Sequence, residues 1–433
     1  MNEPAGRRVA IVAGCRTPFA KAGTSLKDVS AVELARHAGR ELLVRSEVDP
    51  AAVDLVIFGQ VVPSVLVPNV AREVSLLPQF PRTIPAHSLN RACASSGQAI
   101  ADGHAQIVLG LADVVMAGGT ESLSDVPILH SRRFASILVE ASKARTLGKR
   151  IGTFAKTRPR DLVPVAPAIA EPSTGMSMGQ SGEKMAKENG ISREAQDEVA
   201  FRSHQRAAAA TADGRLTAEI APLFLPPTFA QAEATDNGIR ADTSLDQLAK
   251  LKPVFDRKYG TVTAGNASPL TDGAAAVLLM SEAKAKALGY APLAFVRSYA
   301  VAAVDPGEQL LMGPAFAVPL ALERAGISWR DLNLVEMHEA FAAQVLSNIQ
   351  AFESARFATE KLGRKAAVAE GGVNWDTLNV MGGSIAIGHP FGATGARIAT
   401  TLANEMVRRD AQFGLISICA QGGMGFAMVL ERS

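Results

Sequence analysis

The sequence contains few aromatic residues and few cysteines. Phe, Trp and Tyr make up 5% of its 433 residues, and its three cysteines, Cys15, Cys93 and Cys419, lie far apart. An odd number of widely spaced cysteines is a poor basis for structural disulfides, which form mainly in oxidising compartments. We therefore expect free thiols that are available for chemistry, and a cytoplasmic location.

The sequence also lacks a strong charge of either sign and any long apolar run. Its formal net charge is +2, which argues against wholesale nucleic-acid binding, so we expect no nucleic acid among its partners. A membrane span needs about 20 consecutive apolar residues, and no segment approaches that length. The first residues, MNEPAGRRVAIVAG, contain no apolar stretch with a cleavage site, so we expect no secretory signal.

Short apolar runs alternate with Ala-rich helical patterns along most of the chain. This alternation is typical of an α/β fold, in which helices pack against sheets. The predicted strands cover residues 8–14, 53–59, 113–119, 274–280 and 293–301, and the predicted helices cover residues 31–47 and 94–112.

The second half of the sequence repeats the plan of the first. PLAFVRSYAV corresponds to RRVAIVAG, DLNLVEMHE to AVDLVIFGQ, and QGGMGFAMVLER to TDGAAAVLLMSE. We predict a duplicated α/β unit, with chance recurrence of common elements as the alternative. A proline-containing stretch interrupts the repeat, and insertions at strand ends commonly carry substrate contacts. The predicted parts are an N-terminal half (1–125 and 254–285), an inserted loop lobe (126–253) and a C-terminal half (286–433).

Two motifs place a thiol and an imidazole at helix starts. SLNRACASSGQAI puts Cys93 where a strand or turn gives way to a helix, where backbone N–H groups and the helix dipole favour the thiolate and lower the pKa. A buried cysteine in an Ala-rich helix is the alternative. GGSIAIGHPFGATG holds His389 in a glycine-rich turn. This turn lacks the lysine of a phosphate-binding loop, and a helix-capping histidine is its alternative.

Two further motifs place reactive side chains at strand ends. ISICAQGG puts Cys419 at the carboxyl end of an apolar strand, where active sites of α/β folds form, although a buried core cysteine is equally compatible. LNLVEMHEAFAAQ puts His338 and Glu339 between a strand and a helix. Cys15 has no His or Gly motif around it and is expected in the core. The spacings lack CxxC and HExxH, so we expect no metal.

Residues 131–160, SRRFASILVEASKARTLGKRIGTFAKTRPR, form a basic amphipathic segment in which Glu140 is the only acid. Such a segment suits a membrane surface or a partner subunit. The alternative is an ordinary surface helix that packs its apolar stripe on the inserted lobe.

The four motifs around Cys93, His338, His389 and Cys419, in this order and over nearly the full length, resemble the thiolase family. Within it, RACASS, MHEAFAAQ, CAQGG and FDRKYGTVTAGNASPLTDGAAA are similar to the thiolase subunit of fatty-acid β-oxidation complexes. The resemblance implies a duplicated α/β/α/β/α layered fold. It also implies an acyltransferase that cleaves 3-ketoacyl-CoA with CoA as co-substrate and has no permanently bound cofactor.

The resemblance further implies a role for each motif. His389 helps to ionise Cys93, which attacks the 3-keto carbon, and Cys419 protonates the released enolate and then activates the incoming CoA thiol. One oxyanion site is expected from His389 with His338, and the other from backbone N–H groups of Cys93 and near Gln421. Most of the family has Asn in place of His338 and Gly in place of Gln421.

The resemblance also implies contacts to CoA and to other proteins. Residues expected near CoA by motif position are Met178, Arg240, Ala264, Ser268 and Phe341, although Arg240 is equally compatible with a solvated surface arginine and Met178 and Phe341 with core positions. Family members are homodimers or homotetramers, and the related subunits assemble with an enoyl-CoA hydratase/3-hydroxyacyl-CoA dehydrogenase subunit.

Three other functions remain as alternatives. An acetyl-CoA acetyltransferase that forms acetoacetyl-CoA uses the same chemistry, whereas a ketosynthase of this fold typically uses one Cys and two His. Cys419 in its glycine turn argues against the ketosynthase. An inactive thiolase-like binding subunit is the third alternative, and the presence of all four motifs argues against it.

Overall fold

The computed structural model describes residues 7–164 and 170–432. The predicted strands and helices are present within a few residues of their expected bounds. The strands are β1 (Val9–Arg16), β2 (Ala20–Lys21), β3 (Leu55–Gly59), β4 (Ala86–Leu89), β5 (Val114–Glu121), β6 (Leu223–Phe224), β7 (Ala232–Glu233), β8 (Thr271–Ser281), β9 (Ala294–Ala303), β10 (Leu334–Met337), β11 (Phe413–Ala420) and β12 (Met424–Glu431).

The helices lie between these strands and within the interval that separates β5 from β8. They are α1 (Ala31–Ser46), α2 (Val70–Ser75), α3 (Ser95–Val108), α4 (Arg132–Lys143), α5 (Leu147–Phe154), α6 (Met178–Glu188), α7 (Arg193–Ala212), α8 (Arg215–Glu219), α9 (Leu245–Ala249), α10 (Glu282–Ala287), α11 (Gly313–Ala325), α12 (Ala342–Glu353), α13 (Ala355–Leu362), α14 (Ser384–Ile387) and α15 (Thr394–Arg408). None of the described helices is both long enough and apolar enough to span a membrane.

The strands form a ten-stranded sheet in the order β10-β11-β12-β9-β1-β8-β5-β3-β4, with β2 paired to β8. In the first half, β8 runs antiparallel to both β1 and β5, and β5 is parallel to β3. In the second half, β12 runs antiparallel to both β9 and β11, and β11 is parallel to β10. The two patterns match strand for strand, so the predicted duplication is confirmed.

The halves join where β1 and β9 pair and where two helices meet between the half-sheets. Helices α3 and α15 contact each other. Helix α15 contacts strands of both halves and α3 contacts strands of the first half, while α1 packs on strands of the first half and α11 on strands of the second. The two inner helices cross closely, because a Cβ on Gly395 would lie 2.3 Å from the backbone nitrogen of Gly97. The chain therefore forms the expected α/β/α/β/α layers, and the starts of both inner helices lie close to this crossing.

The interval between β5 and β8 contains helices α4 to α9 and the β6–β7 hairpin. Helices α6 and α7 pack on α12 of the second half, whereas α4 and α5 pack on each other. This arrangement agrees with an inserted lobe. The division of the chain at 125/126, 253/254 and 285/286 stays a prediction.

Candidate active site

Cys93 lies in a tight turn between edge strand β4 and the first residue of α3. The turn requires Ala92 to adopt a left-handed conformation with φ 45°, which a residue with a Cβ seldom does. No side chain caps the start of α3, and the backbone N–H groups of Gln421 and of Cys93 itself act to lower the pKa of the thiol against the effect of burial. The turn thus presents the thiol to backbone donors from both halves of the chain.

His389 is held in the glycine-rich loop that precedes α15. Gly388 has φ 114°, and the backbone N–H of His389 donates to Thr271 Oγ1 at 3.0 Å. Its Nδ1 lies 2.6 Å from Thr394 Oγ1. The imidazole is buried at 3% exposure, and its Nε2 has no hydrogen-bond partner among the described residues.

His338 follows the carboxyl end of β10 and is fully buried. Its Nδ1 lies 2.8 Å from Ser384 Oγ, and its Nε2 also lacks a described partner. The centroids of the His338 and His389 rings are 4.1 Å apart. One nitrogen from each ring and the sulfur of Cys93 all lie within 4.8 Å of one another. Three of the four predicted catalytic side chains therefore meet in one place.

Cys419 lies near the end of β11 and is 1% exposed. Burial and the nearby Cys93 thiol raise the pKa of Cys419 well above its usual value. All three cysteines are free. Cys15 is in the outer core of the first half, where its sulfur contacts the carbonyl of Ala38 at 3.5 Å, in agreement with its expected structural role.

The expectation that the helix start lowers the pKa of Cys93 is wrong. Burial raises the pKa of the Cys93 thiol to about 12, and the N–H groups of Gln421 and Cys93 offset this only in part. Burial, together with the positive charge of Arg397, lowers the pKa of His389 to about 3. The desolvation of a charged group outweighs the local backbone donors, so the resting site contains a neutral thiol and a neutral imidazole.

Glu339 lies between β10 and α12, as expected, and its carboxylate has a structural role. Helix α12 begins three residues later, and the buried carboxylate accepts hydrogen bonds from Ser203 Oγ at 2.7 Å and from Asn379 Nδ2 at 2.7 Å. It also accepts the N–H of Ile385 at 3.2 Å. Glu339 thus ties the inserted lobe to the loop that leads to His389.

A groove of about 560 Å³ is lined by residues of the inserted lobe and of the segment that precedes β8, but not by His338 or His389. Its lining includes Arg240, Ala264 and Ser268, three of the five residues expected near CoA. The backbone N–H of Ser268 donates to the carbonyl of Ala340 at 3.0 Å, and Leu270 bridges to His389. The segment that lines this side of the groove therefore pairs with Ala340, two residues after His338, and with His389.

Met178 and Phe341 do not line this groove. Phe341 is 9% exposed and belongs to the core of the second half, and Met178 packs against the same core. The ring of Phe341 makes an edge contact with Phe255, which lines the groove, at 6.0 Å between centroids. Phe341 thus supports the groove wall from behind, and Met178 lies against the same core.

Four polar residues around the site were not singled out from the sequence. Ser384 and Thr394 hold the two imidazoles, and Arg397 donates to Ser384 Oγ at 3.1 Å while facing Glu336 at 3.6 Å. Arg397 and Glu336 are 1% and 2% exposed. An arginine within the apolar pattern ARIATTL and a glutamate within the four-residue strand LVEM were the available signals, because buried charges need a partner or a function.

The atoms of Cys93, His338 and His389 also form a set of metal ligands by distance. Two nitrogens and one sulfur suit a zinc ion with one open position. Such an ion would occupy the nucleophile, so it competes with the proposed chemistry. The expectation of no metal stays a prediction.

Comparisons with known proteins agree with these features. The family described as thiolase, N-terminal domain, matches residues 9–283, and the family described as thiolase, C-terminal domain, matches residues 290–432. A 3-ketoacyl-CoA thiolase of Aeromonas salmonicida is 52% identical over 426 residues, covering 98% of this chain and 97% of that protein. A 3-ketoacyl-CoA thiolase of Escherichia coli is 51% identical with the same coverage.

Solved structures give the same result at lower identity. Human mitochondrial 3-ketoacyl-CoA thiolase superposes with a TM-score of 0.83 at 34% identity and covers 99% of both chains. The same human enzyme in complex with CoA also superposes with a TM-score of 0.83. An acetyl-CoA acetyltransferase of Bacillus anthracis superposes with a TM-score of 0.82 at 34% identity. With both family domains matched across nearly its whole length, the chain belongs to the thiolase family.

Proposed function

We propose that the chain cleaves 3-ketoacyl-CoA with CoA to acetyl-CoA and a shortened acyl-CoA in fatty-acid β-oxidation. The observation that carries this proposal is that one atom each of Cys93, His338 and His389 lie within 4.8 Å of one another. A groove lined by Arg240 and Ser268 includes the segment that pairs with Ala340 and His389. Relatives named 3-ketoacyl-CoA thiolase at 51–52% identity favour this substrate class over acetoacetyl-CoA formation.

In the first half-reaction, Cys93 is the nucleophile and His389 the base. The Cys93 proton moves to His389 as the sulfur bonds to the 3-keto carbon, and the developing alkoxide accepts hydrogen bonds at the imidazoles. The bond between C2 and C3 then breaks. The electron pair leaves on the acetyl-CoA enolate, which takes a proton at carbon from the thiol of Cys419.

In the second half-reaction, the Cys419 thiolate takes the proton of the incoming CoA thiol. The CoA sulfur attacks the thioester carbonyl on Cys93, whose oxyanion is stabilised by the backbone N–H groups of Cys93 and Gln421. Cys93 leaves and recovers its proton from His389. Every group thus returns to its starting protonation state.

The test is a thiolysis assay over 3-ketoacyl-CoA of about four to sixteen carbons, the range of natural acyl chains, with Cys93→Ala and Cys419→Ala alongside. Cys93→Ala should form no acyl-enzyme, whereas Cys419→Ala should slow both half-reactions. Cys15→Ala is the control, because that thiol lies in the outer core. Activity restricted to acetoacetyl-CoA would favour an acetyltransferase. A Cys93 thiol that resists iodoacetamide with and without acyl-CoA would favour an inactive binding subunit.

We further propose that CoA lies in the groove with its phosphates near Arg240 and Lys21. Both cationic side chains line the groove, and burial, together with the charge of Arg240, lowers the pKa of Lys21. A phosphate between them would relieve this repulsion. Ala264 and Ser268 would then face the pantetheine portion, and Met178 and Phe341 would act only by supporting the wall. No permanently bound cofactor enters the proposal.

We also propose that residues 131–160 contact an anionic membrane surface. Leu147 and Ile151 are 71% and 60% exposed, beside Lys149 and Arg150, which form no ion pair with a described residue. Arg133 instead pairs with Asp161 at 3.2 Å. Only part of the apolar stripe is exposed for such a contact, because Ile137 and Ala141 of α4 are buried.

Charge reversal at Lys149 and Arg150 should weaken sedimentation with anionic liposomes, while Arg356→Glu on remote helix α13 is the control. Unchanged binding to liposomes, with reduced co-purification of a hydratase/dehydrogenase subunit, would assign the surface to that partner. We also expect a homodimer or homotetramer, since the outer edge of β4 pairs with no described strand. A cytoplasmic location stays a prediction that the free thiols suit.

A further inference from the structure

The two histidines of the site differ in the partners that bind their Nδ1 atoms. Ser384 Oγ lies 2.8 Å from Nδ1 of His338, and Thr394 Oγ1 lies 2.6 Å from Nδ1 of His389. In each ring Nε2 is the nitrogen without a described partner. A neutral imidazole carries one proton, so the hydroxyl at Nδ1 decides whether Nε2 is a donor or an acceptor.

Arg397 determines the orientation of the Ser384 hydroxyl. Its Nη2 donates to Ser384 Oγ at 3.1 Å, and a guanidinium group can only donate hydrogen bonds. The single proton of Ser384 is therefore free to point at Nδ1 of His338. Among the described residues this proton has no other acceptor, so Nδ1 of His338 accepts it, which leaves the proton of the neutral ring on Nε2.

The Thr394 hydroxyl is oriented differently, because its proton points at the carbonyl oxygen of Pro390 and not at His389. Thr394 Oγ1 donates to the carbonyl oxygen of Pro390 at 3.1 Å, and a carbonyl can only accept. The remaining bond of Thr394 must then be accepted from Nδ1–H of His389. Nε2 of His389 consequently carries a lone pair.

We propose that Arg397 is a positioning residue that, through Ser384, holds His338 as the Nε2–H tautomer, while Thr394 holds His389 as the Nδ1–H tautomer. The site then presents one N–H donor and one nitrogen lone pair beside Cys93. This inference rests on the proposed function for its purpose: the lone pair of His389 takes the thiol proton, and the N–H of His338 meets the substrate oxygen. If both rings were the same tautomer, the site would contain either two donors or two acceptors, and it would lack one of the two groups that the reaction needs.

The surroundings keep this arrangement in place. Arg397 is 1% exposed and faces Glu336 at 3.6 Å, which lies two residues before His338 on the same strand end. Burial lowers the pKa of His338, and the neighbouring His389 and the positive charge of Arg397 lower it further. The ring therefore stays neutral, and a neutral ring is the form whose tautomer can be chosen.

The tautomers can be measured directly in the full-length protein. We would label its seven histidines with ¹⁵N and record long-range ¹H–¹⁵N spectra, in which the two neutral tautomers differ. His338→Asn and His389→Asn assign the two rings. We expect Nε2–H for His338 and Nδ1–H for His389. If the wild-type spectrum shows the His338 proton on Nδ1, the proposal is wrong, and no variant of Arg397 or Ser384 is needed to show it.

Ser384→Ala tests the link from Arg397. We expect His338 to become a mixture of tautomers. The kcat for thiolysis should fall about 10- to 100-fold, less than the roughly 100- to 1000-fold for complete loss of an oxyanion donor, because part of the mixture keeps the donor. KM and the rate of Cys93 alkylation should change little, since His389 keeps Thr394. Ser347→Ala is the matched control, because Ser347 is 1% exposed and donates to Ala343 in α12.

The outcomes separate this inference from the proposed function. Unchanged tautomers and unchanged kcat in Ser384→Ala would refute the role of Arg397 while leaving thiolase activity intact. The expected tautomers in a protein that never turns over 3-ketoacyl-CoA would refute the proposed function and leave the arrangement of the imidazoles standing. If Ser384→Ala does not fold, the wild-type spectra alone decide the assignment.

Discussion

The backbone of β5 contacts the loop that carries His389 so closely that one added methyl group should disable the site. A Cβ on Gly119 would lie 1.9 Å from the carbonyl oxygen of Gly392 and 2.7 Å from its carbonyl carbon. Ordinary non-bonded contacts are about 3.5 Å, so Gly119→Ala requires the two segments to separate by about 1.5 Å. Both neighbours are backbone, which excludes relief by a side-chain rotation.

This separation acts on the histidine that must accept the Cys93 proton. Gly392 lies three residues after His389, and its N–H is fixed by Glu121 Oε2 at 3.0 Å. A misplacement of about 1 Å can reduce turnover about 100-fold. We therefore expect kcat/KM to fall at least about 100-fold in Gly119→Ala. Overpacking should also lower the free energy of unfolding by about 1–3 kcal/mol.

The assay is thiolysis together with denaturant unfolding of Gly119→Ala and of a matched control. Gly148→Ala in the exposed helix α5 adds the same methyl group where nothing lies within 4 Å. It should leave activity unchanged and stabilise its helix by up to about 1 kcal/mol. A folded Gly119→Ala protein with normal kcat/KM would show that the position of the His389 loop does not limit the reaction.

Three further outcomes follow from the site. The pKa of His389 is about 3 and that of Cys93 is about 12, so the neutral imidazole and neutral thiol persist at every pH between these values. The rate of Cys93 acylation should therefore be constant from about pH 6 to pH 9. A rate that falls at acid pH with a midpoint near the ordinary histidine pKa, about 6.5, would contradict this. Zn²⁺ should inhibit the enzyme reversibly by binding Cys93, His338 and His389, and His338→Asn should weaken this inhibition at least about tenfold. Equal inhibition of the variant and the wild type would mean that zinc binds elsewhere. Arg240→Ala should raise KM for CoA about three- to tenfold with little change in kcat, and Arg356→Ala, at an 84% exposed side chain, should not.

The fold was predictable because its central strands are buried on both faces and its helices bury one continuous apolar face, and both kinds of burial leave a clear apolar pattern in the sequence. Strand β8 is buried at every position from Thr271 to Ser281, and such runs read as strands without knowledge of their neighbours. The repeat of β1, β3 and β8 in β9, β10 and β12 then fixes the order of the second half. Only the ends of elements differ from expectation, by a few residues.

The site was predictable where one short motif contains the whole geometry. The turn before α3 and the loop before α15 each contain the side chain and the glycine or small residues that shape its backbone. The contact from Arg397 to Ser384 depends on how a helix face meets a loop, and no local pattern gives that distance. Phe341 shows the converse, because a residue within a functional motif lies in the core behind the groove.

The expectation of a lowered pKa for Cys93 was also wrong because a local pattern does not show which distant segments pack on the thiol. The raised pKa in turn indicates how the site works. The helix start supplies backbone donors, but the second half of the chain packs over the sulfur and leaves Cys93 only partly exposed, and the loss of solvent outweighs those donors. Burial raises the pKa of both thiols and lowers the pKa of both imidazoles. These shifts disfavour a thiolate–imidazolium pair between Cys93 and His389 before substrate binds, so each proton moves as a bond to substrate forms or breaks. A site of this kind depends on correctly placed neutral donors and acceptors, and this is why the hydroxyl groups that set the tautomers of His338 and His389 matter as much as the imidazoles.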